Sequence, residues 1–263
     1  MSDQIRHAIL DFRQGLAAYA VWLSLAEGEI KQRYRRSLLG PIWITISMGL
    51  MLVALAPLYG YLLGVAIETY VRNLAIGIVF WSYIAGSIND SCTAFISAEG
   101  FIKHIKLPLS LYLLKTLARN LIVFGHNAVI IILVLVVFPP DNSFVAPLAL
   151  LGILLVSINL YWLGCILAIL CTRFRDITQL VTNTVQLCFF LTPVLWTAEI
   201  LKDRRYMVEW NIFFYFIEVV RAPLTGSIPS NSIWWVLLIS GTVGSLLALL
   251  VFAKYRSRIP YWI

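Results

Sequence analysis

Long runs of mainly apolar residues alternate with short polar segments along this chain, a pattern that predicts an all-α integral membrane protein. A helix needs about 20 apolar residues to cross the roughly 30 Å hydrocarbon core of a bilayer. The fifth apolar run is the shortest and contains Pro193, so it is the least regular. The runs predict six transmembrane helices per subunit, at about 41–66, 74–95, 111–138, 146–170, 180–197 and 232–253.

Apolar residues also recur every three or four positions before the first predicted span. Ile5, Ile9, Phe12 and Leu16 begin this stripe, which continues to Tyr34. The spacing places them on one face of an amphipathic helix. Such a helix either lies in the membrane interface or packs its stripe against the bundle, and both alternatives stay open. We therefore divide the chain into an interfacial segment, 1–36, and a six-helix transmembrane domain, 37–263.

Composition and charge support the membrane interpretation and predict an orientation. Hydrophobic residues make up 60% of the 263 positions and charged residues only 13%, about half the charged share of a soluble domain. Fifteen of the 20 Lys and Arg residues fall on the side of the predicted spans that carries the N-terminus. Cytoplasmic loops are enriched in these residues, so both termini and the 1–36 segment are expected to be cytoplasmic. The net charge of +7 then faces lipid headgroups or an anionic ligand, and no nucleic acid.

Two segments outside the spans indicate surface helices. The loop SAEGFIKHIKLPLS places Phe101, Ile102 and Ile105 on a small apolar face beside basic residues. This pattern predicts a short amphipathic helix that docks in a groove of a soluble partner; the alternative is an ordinary loop whose lysines reach lipid headgroups. The outer loop at 198–231 is rich in aromatic residues but too polar to span, and predicts short helices at the outer surface.

Few charged or catalytic groups occur within the spans. Asp90 and Arg119 fall at similar depth and form a candidate ion pair, and His126 falls near mid-membrane. Intramembrane ionisable groups suggest function, although a structural tie between helices explains them equally well. No phosphate-binding loop, zinc-protease motif or nucleophile elbow occurs in the sequence. We therefore assign no catalytic residue and no metal ligand, which argues against an enzyme and leaves an ion-driven secondary transporter as a weaker alternative.

Five motifs in order resemble a known family. They are RYRRSLLGPIW before the first span, FIKHIKLPLS, RFRDI, VVRAPLTG in the outer loop and YRSRIPYW near the end. Together, over about residues 29–262, they resemble the permease subunits of ATP-binding-cassette exporters for polysaccharides such as O-antigen, capsule and teichoic acid. One departure is visible: family members carry Asn-Pro before the outer aromatic helix, where this chain has Asn211-Ile212.

The resemblance implies an assembly and a function. It implies a homodimer in the bacterial inner membrane, bound to two separate ATPase subunits that hold ATP and Mg, with no cofactor bound by this chain. It implies outer gate helices between spans five and six, and a lipid-linked glycan as substrate. An exporter of the same architecture for a small molecule or lipid is the alternative. The expected ATPase-coupling residues are Glu99, Phe101, Ile102, Lys103, His104 and Ile105.

Two further groups gain a candidate role from that substrate. Arginine forks suit the phosphate of a lipid anchor, although the basic cluster also serves as a simple topology anchor. The cluster consists of Lys31, Arg33, Arg35 and Arg36. Flat aromatic rings suit the apolar faces of sugars, although Trp and Tyr also favour membrane interfaces. The candidate channel residues are Tyr59, Tyr61, Trp81, Tyr83, Phe189, Phe190 and Trp196.

Overall fold

The computed structural model describes residues 2–33, 35, 37, 40, 42–140, 142, 145–204 and 206–263, and this part of the chain contains helices and no strand. The 3₁₀ turns between the α-helices of the described residues include Ile96–Ala98, Ala198–Arg204 and Arg256–Arg258. The α-helices of the described part are α1 Ser2–Ala17, α2 Tyr19–Arg33, α3 Ile42–Leu63, α4 Ile67–Cys92, α5 Glu99–His104, α6 Leu109–Val137, α7 Leu148–Arg173, α8 Ile177–Leu191, α9 Tyr206–Glu209, α10 Ile212–Leu224, α11 Asn231–Tyr255 and α12 Ile259–Trp262.

Among the described residues, five helices are long and apolar enough to cross a membrane: α3, α4, α6, α7 and α11. The expected fifth span is shorter than the sequence predicted, because α8 has 15 residues and ends at Leu191 instead of 197. A proline lacks the amide proton that would continue the helix, and Pro193 lies at this point. At 1.5 Å per residue α8 covers only about 22 Å. The structure thus shows a multi-span helical membrane protein with one additional short apolar helix.

The central helix of the bundle is α4. In its most apolar stretch 67% of the residues are buried, against 11% for α3. The run from Leu74 to Trp81 is buried on every side, because α3, α6, α7, α8 and α10 all contact α4. Helix α4 begins at Ile67, whereas the sequence predicted that this span begins at about 74. The difference arises because the first two turns of α4 are polar and precede the apolar run. The exposed apolar face of α3 is left for lipid or for another protein chain.

Polar side chains tie the spans together where no water competes. Asn159 of α7 donates to the carbonyl of Leu237 in α11 at 3.1 Å. Its own Oδ1 accepts from Ser240 at 2.8 Å and from the indole of Trp162 at 3.1 Å. An apolar surface gives no net drive for helices to associate in lipid, so such bonds and close packing fix their arrangement.

The N-terminal helices pack onto the bundle through small residues. Ala8, Asp11 and Gly15 of α1 are buried, whereas the larger apolar side chains Leu16 and Tyr19 are exposed. A Cβ at Gly15 would lie 2.2 Å from Ser110 Oγ, so only glycine allows this approach of α1 to α6. The predicted stripe is therefore divided: Leu16, Tyr19 and Leu23 are exposed, whereas Phe12 packs against Phe252 and both Ala26 and Ile30 are buried.

Asp11 joins three parts of the chain that are distant in sequence. Its carboxylate accepts hydrogen bonds from the backbone amides of Leu109 at 3.2 Å and Ser110 at 2.9 Å. These amides are free because they open helix α6. Arg256, just after α11, donates Nε to the same carboxylate at 2.7 Å. The fully buried Asp11 thus caps α6 and fixes both ends of the chain to it.

Replacing Asp11 with Ala is expected to lower the free energy of unfolding by about 3 kcal/mol, because it strands two amides and one guanidinium. Titration of the purified protein from mild into denaturing detergent measures this change. Asp3→Ala on the exposed face of the same helix is the matched control and should change little. Equal effects of the two substitutions would contradict the capping role.

Candidate transport and coupling sites

A partly buried ion network connects α2, α4 and α6 at one end of the bundle. Arg119 reaches two carboxylates at once, with Nη1 at 2.7 Å from Glu29 and Nη2 at 2.6 Å from Asp90. Lys115 pairs with the same Glu29 carboxylate, and Asn120 donates to Asp90 at 2.9 Å. The ion pair that depth alone predicted between Asp90 and Arg119 is therefore present. Each charge in the network has a partner of opposite sign, as burial requires.

Sequence reasoning missed Glu29 and Lys115 as members of this network. Glu29 lies three residues after Ala26 and next to Ile30, both of which are buried in α2. An acid on the buried face of an amphipathic helix was the available signal, because such a group requires a cation opposite. Lys115 lies one helical turn before Arg119 on α6, so the two face the same partner.

The electrostatic environment of Glu29 is dominated by its cations. Partial burial raises the pKa of this carboxyl, but the hydrogen bonds and charges of Lys115 and Arg119 outweigh that effect and lower the pKa below its ordinary value of 4.5. The ionised carboxylate is therefore the state that holds α2 against α6.

A cavity of about 880 Å³ lies beside the network, between α2, α3 and α6. Its polar wall includes Glu29, Arg33 and Arg119, and its apolar wall includes Trp43 and Met48. Asn127, a buried residue of α6, also lines it, and its Oδ1 has no hydrogen-bond partner among the described residues. A cavity with guanidinium groups on one wall and apolar side chains on the other can hold an anionic group that carries an apolar tail.

The four predicted phosphate-binding cations are placed differently from one another. Arg33, in the last turn of α2, lines the cavity. Lys31 instead lies 3.6 Å from Glu27 on the exposed face of α2, and Arg35 is exposed in the turn that follows. Arg36 lies outside the described residues. Sequence reasoning assigned Arg119 to an ion pair only, but the fold also brings it to this cavity.

The predicted coupling loop forms a short helix, α5. Phe101 and Ile105 are half-exposed, whereas Ile102 turns inward and packs against the adjacent hydrophobic cluster. The apolar face predicted from the sequence is thus divided between the surface and the interior. Its exposed part consists of Phe101 and Ile105, together with His104 beside them.

The C-terminus packs against α5 and enlarges this surface. Lys103 pairs with Glu99 at 2.6 Å and also donates to the carbonyl of Ile263 at 3.1 Å. The α7 residue Arg173 lies over the ring of Trp262, with its guanidinium carbon 5.3 Å from the ring centroid. The charge of Lys103 lowers the pKa of Glu99, so this carboxylate stays ionised near neutral pH. Asp11 caps α6 only a few residues after α5, which gives α5 a rigid support.

The seven candidate channel aromatics separate into three groups. Tyr59, Phe189, Phe190 and Trp196 line one apolar cavity of about 380 Å³ between α3, α8 and the segment after α8. Tyr61 is 92% exposed on α3.

Trp81 and Tyr83 form the third group and lie inside the subunit. Tyr83 is buried among Phe80 and Phe124, and its hydroxyl lies 2.7 Å from Ser157 Oγ. Trp81 packs against Phe189. Both rings belong to the hydrophobic core around α4, the central helix.

His126 has a structural environment. Its Nδ1 lies 2.9 Å from the carbonyl of Ile122, one turn earlier in α6. Its own carbonyl accepts from Thr45 Oγ1 of α3 at 3.0 Å. These contacts connect α3 to α6 and support the structural interpretation of this residue.

The start of α10 answers the question raised by Asn211-Ile212. The Asn211 side chain accepts a hydrogen bond from the amide of Phe213 at 3.0 Å, which makes it the N-cap of α10. Its amide group also donates to Thr192 Oγ1 at 2.8 Å. The helix therefore begins at Ile212 without a proline, and the cap ties it to the end of α8.

The sequence matches a known family of transport proteins. A family model described as "ABC-2 type transporter" matches residues 20–225, which include every span except α11. The chain belongs to the ABC-2 type transporter family. It is therefore the membrane subunit of a transporter, and members of this family work with an ATP-binding cassette subunit.

Curated relatives of this ABC-2 type transporter include three export permeases. The chain is 24% identical to an O-antigen export system permease protein RfbA of Klebsiella pneumoniae over 233 residues, 88% of this chain and 90% of the relative. It is 23% identical to the protein of the same name from Myxococcus xanthus over 184 residues, 69% of this chain and 70% of the relative. A second Klebsiella pneumoniae protein of that name is 23% identical over 233 residues.

The low pKa of Glu29 predicts how the stability of this transporter subunit depends on pH. Because the folded-state pKa lies below 4.5, the stabilisation is present above that pH and is lost as the pH falls through the lowered value. Thermal unfolding of the purified protein from about pH 7 to about pH 3 should show the wild type losing its advantage over Glu29→Gln. Glu27→Gln, which removes an exposed pair, should show no such convergence. A gap between wild type and Glu29→Gln that is independent of pH would contradict the network.

Proposed function

We propose that two copies of this chain form a passage for a lipid-linked polysaccharide, exported from the cytoplasmic side of the bacterial inner membrane. The observation that carries the proposal is the 880 Å³ cavity, in which Arg33 lies opposite an apolar wall from α3 and beside the ion-paired Arg119. A phosphate attached to a lipid requires both surfaces in one place. Similarity to O-antigen export permeases supports a glycan as the group that the lipid carries.

The proposed passage includes α8 as a sixth span that is completed by the turn after it. Irregular backbone at membrane depth is tolerated only where its polar groups are satisfied within the protein. Here Tyr70 donates to the carbonyl of Leu195 at 2.8 Å, and Thr192 N bonds back to Cys188 at 2.9 Å. Helices α9 and α10 then act as outer gate helices over this turn. The exposed face of α3 meets the second subunit or lipid.

The proposed ATPase site is the surface of α5 with the C-terminal α12. Phe101 and Ile105 supply exposed apolar side chains, and the pair Glu99–Lys103 lies beside them. In the dimer, each copy of this surface binds one of the two ATPase subunits, which hold ATP and Mg. Both termini of this chain are then cytoplasmic. Movement of α5 reaches α6 directly, because only the four residues 105–108 separate the end of α5 at His104 from the start of α6 at Leu109.

An exporter of the same architecture for a single lipid or small molecule is the second candidate. The cavity volume favours it as well, because 880 Å³ falls in the range of about 300–1,000 Å³ that is usual for small-molecule sites. An ion-driven secondary transporter has less support, since Glu29 and Asp90 are both paired with Arg119 and neither is free to carry an ion.

Arg33→Ala is expected to reduce surface polysaccharide in cells that depend on this protein, because one phosphate-facing fork is lost. Arg33→Lys should restore export only in part, since an ammonium group cannot form a bidentate pair with phosphate. Arg6→Ala, an exposed α1 variant, serves as the control. Quantifying surface glycan and membrane level of each variant checks this. Full rescue by Lys rejects the phosphate role, and loss of an exported lipid without loss of polysaccharide favours the second candidate.

Phe101→Asp is expected to abolish co-purification of the ATPase while the permease remains in the membrane. The carboxylate would enter an apolar groove of the partner without a cation to pair with it. Ile228→Asp, at an exposed apolar position on the opposite side, is the matched control and should retain the ATPase. Normal ATPase recovery with Phe101→Asp would contradict docking at α5.

A further inference from the structure

A small polar cavity lies at the end of the bundle opposite α5. Its volume is about 220 Å³, and it is enclosed by the start of α4, the turn at Thr197–Glu199 and the end of α10. Charged, amide and hydroxyl groups dominate the lining of this cavity. Its lining includes Thr69, Arg72, Asn73, Glu199, Glu218, Arg221, Thr225 and Ser227.

Two guanidinium groups face this cavity with unused donors. Arg221 is only 4% exposed; its Nη2 forms a long bond of 3.4 Å to the carbonyl of Val194, and the charge of Glu218 also acts on it. Arg72 donates Nη1 to Pro139 at 2.6 Å. The Nε atoms of both side chains are buried and have no hydrogen-bond partner among the described residues. A buried donor left unpaired is costly, so this convergence indicates a missing acceptor.

The charges around the cavity indicate which kind of acceptor fits. Glu199 and Glu218 balance Arg72 and Arg221, so the four groups sum to zero and give no net attraction for an anion. The carboxylates instead require donors, while the guanidinium groups require acceptors. A hydroxyl group supplies both functions, and several hydroxyls on one small ring satisfy several wall groups at once.

We propose that this cavity binds one sugar residue of the exported glycan on the outer side of the membrane. That the bound sugar belongs to the exported glycan rests on the proposed function. That the cavity binds a sugar ring rests on the cavity alone. Its volume lies below the roughly 300 Å³ lower bound of drug-sized sites, which suits one ring and not a chain segment.

Occupancy of this cavity would also affect the outer helices. Arg221 belongs to α10, and Val194 belongs to the turn after α8, so the ligand would contact both sides of the proposed gate. Gly77 allows this close arrangement, because a Cβ there would lie 2.6 Å from Arg221 Nη2 and 2.7 Å from the Val194 carbonyl oxygen. A bound sugar residue thus holds α10 against α4 while the glycan passes.

Cysteine protection in the purified full-length protein tests the proposal. Ser227→Cys places a thiol at the exposed rim of the cavity, in a Cys188→Ser background that leaves the three buried native cysteines. A water-soluble maleimide reports the rate of labelling in nanodiscs. The probes are methyl glycosides of glucose, galactose, mannose, rhamnose and N-acetylglucosamine, with sodium sulfate as an anion. At least one glycoside should slow labelling of Ser227→Cys, and sulfate should not.

Matched variants identify the site of protection. Ile228→Cys is the adjacent exposed position outside the cavity, and its labelling should be unaffected by glycosides. Adding Arg221→Gln should raise the half-protecting glycoside concentration about tenfold, because a charge-assisted hydrogen bond is lost. Glu218→Gln, at a partly exposed position, provides the same test if Arg221→Gln does not fold. Arg204→Gln, outside the cavity, should change nothing.

Three results would overturn the proposal: no protection by any glycoside, equal protection by sulfate, or equal protection at Ile228→Cys. The assay requires neither an ATPase nor export, so its failure leaves the proposed function intact. Conversely, unchanged surface polysaccharide in cells lacking the protein would reject the proposed function. Glycoside protection of Ser227→Cys would then still establish a sugar-binding site, in a transporter whose cargo is not a surface polysaccharide.

Discussion

The two-sided ion pairing of Arg119 is the interaction on which the packing of α2, α4 and α6 depends. A guanidinium in a water-poor bundle is stable only when its charge and donors are matched, and Glu29 and Asp90 supply that match from two different helices. Because one carboxylate lies on α2 and the other on α4, α6 becomes the shared support of both. The same requirement positions the large cavity, since α2 cannot leave α6 without separating the charges.

Asp11 provides a second matched charge, at the start of α6, which is the cytoplasmic end of this helix in the proposed orientation. The start of α6 has free amides, and the end of α11 has a cation, and one buried carboxylate satisfies both. The result is a rigid junction immediately after α5, the proposed ATPase-docking helix. A docking helix can transmit force only if the next helix is held firmly. The proposed mechanism therefore combines an exposed surface at Phe101 with a fixed junction behind it.

Local signals in the sequence were sufficient for most of the secondary structure and for part of the site. Four of the predicted spans and the α5 helix appear close to their expected positions, because length and apolar character act within each segment. The ion pair Asp90–Arg119 was also predictable, since depth along two adjacent spans places charges at one level. Helix α8 was overestimated because Pro193 interrupts a run whose hydropathy continues.

The sequence by itself determined the class of protein, the order of its helices and the cations before the first span. Only the tertiary structure decided which faces meet: the apolar stripe is exposed at Leu16 and Tyr19 but buried at Ala26 and Ile30, and Asp11 faces the bundle. It also decided that Tyr83 is core and that Arg221 faces a polar cavity. The physical reason is that periodicity defines a face of a helix, whereas steric fit and charge pairing between distant segments decide what that face contacts.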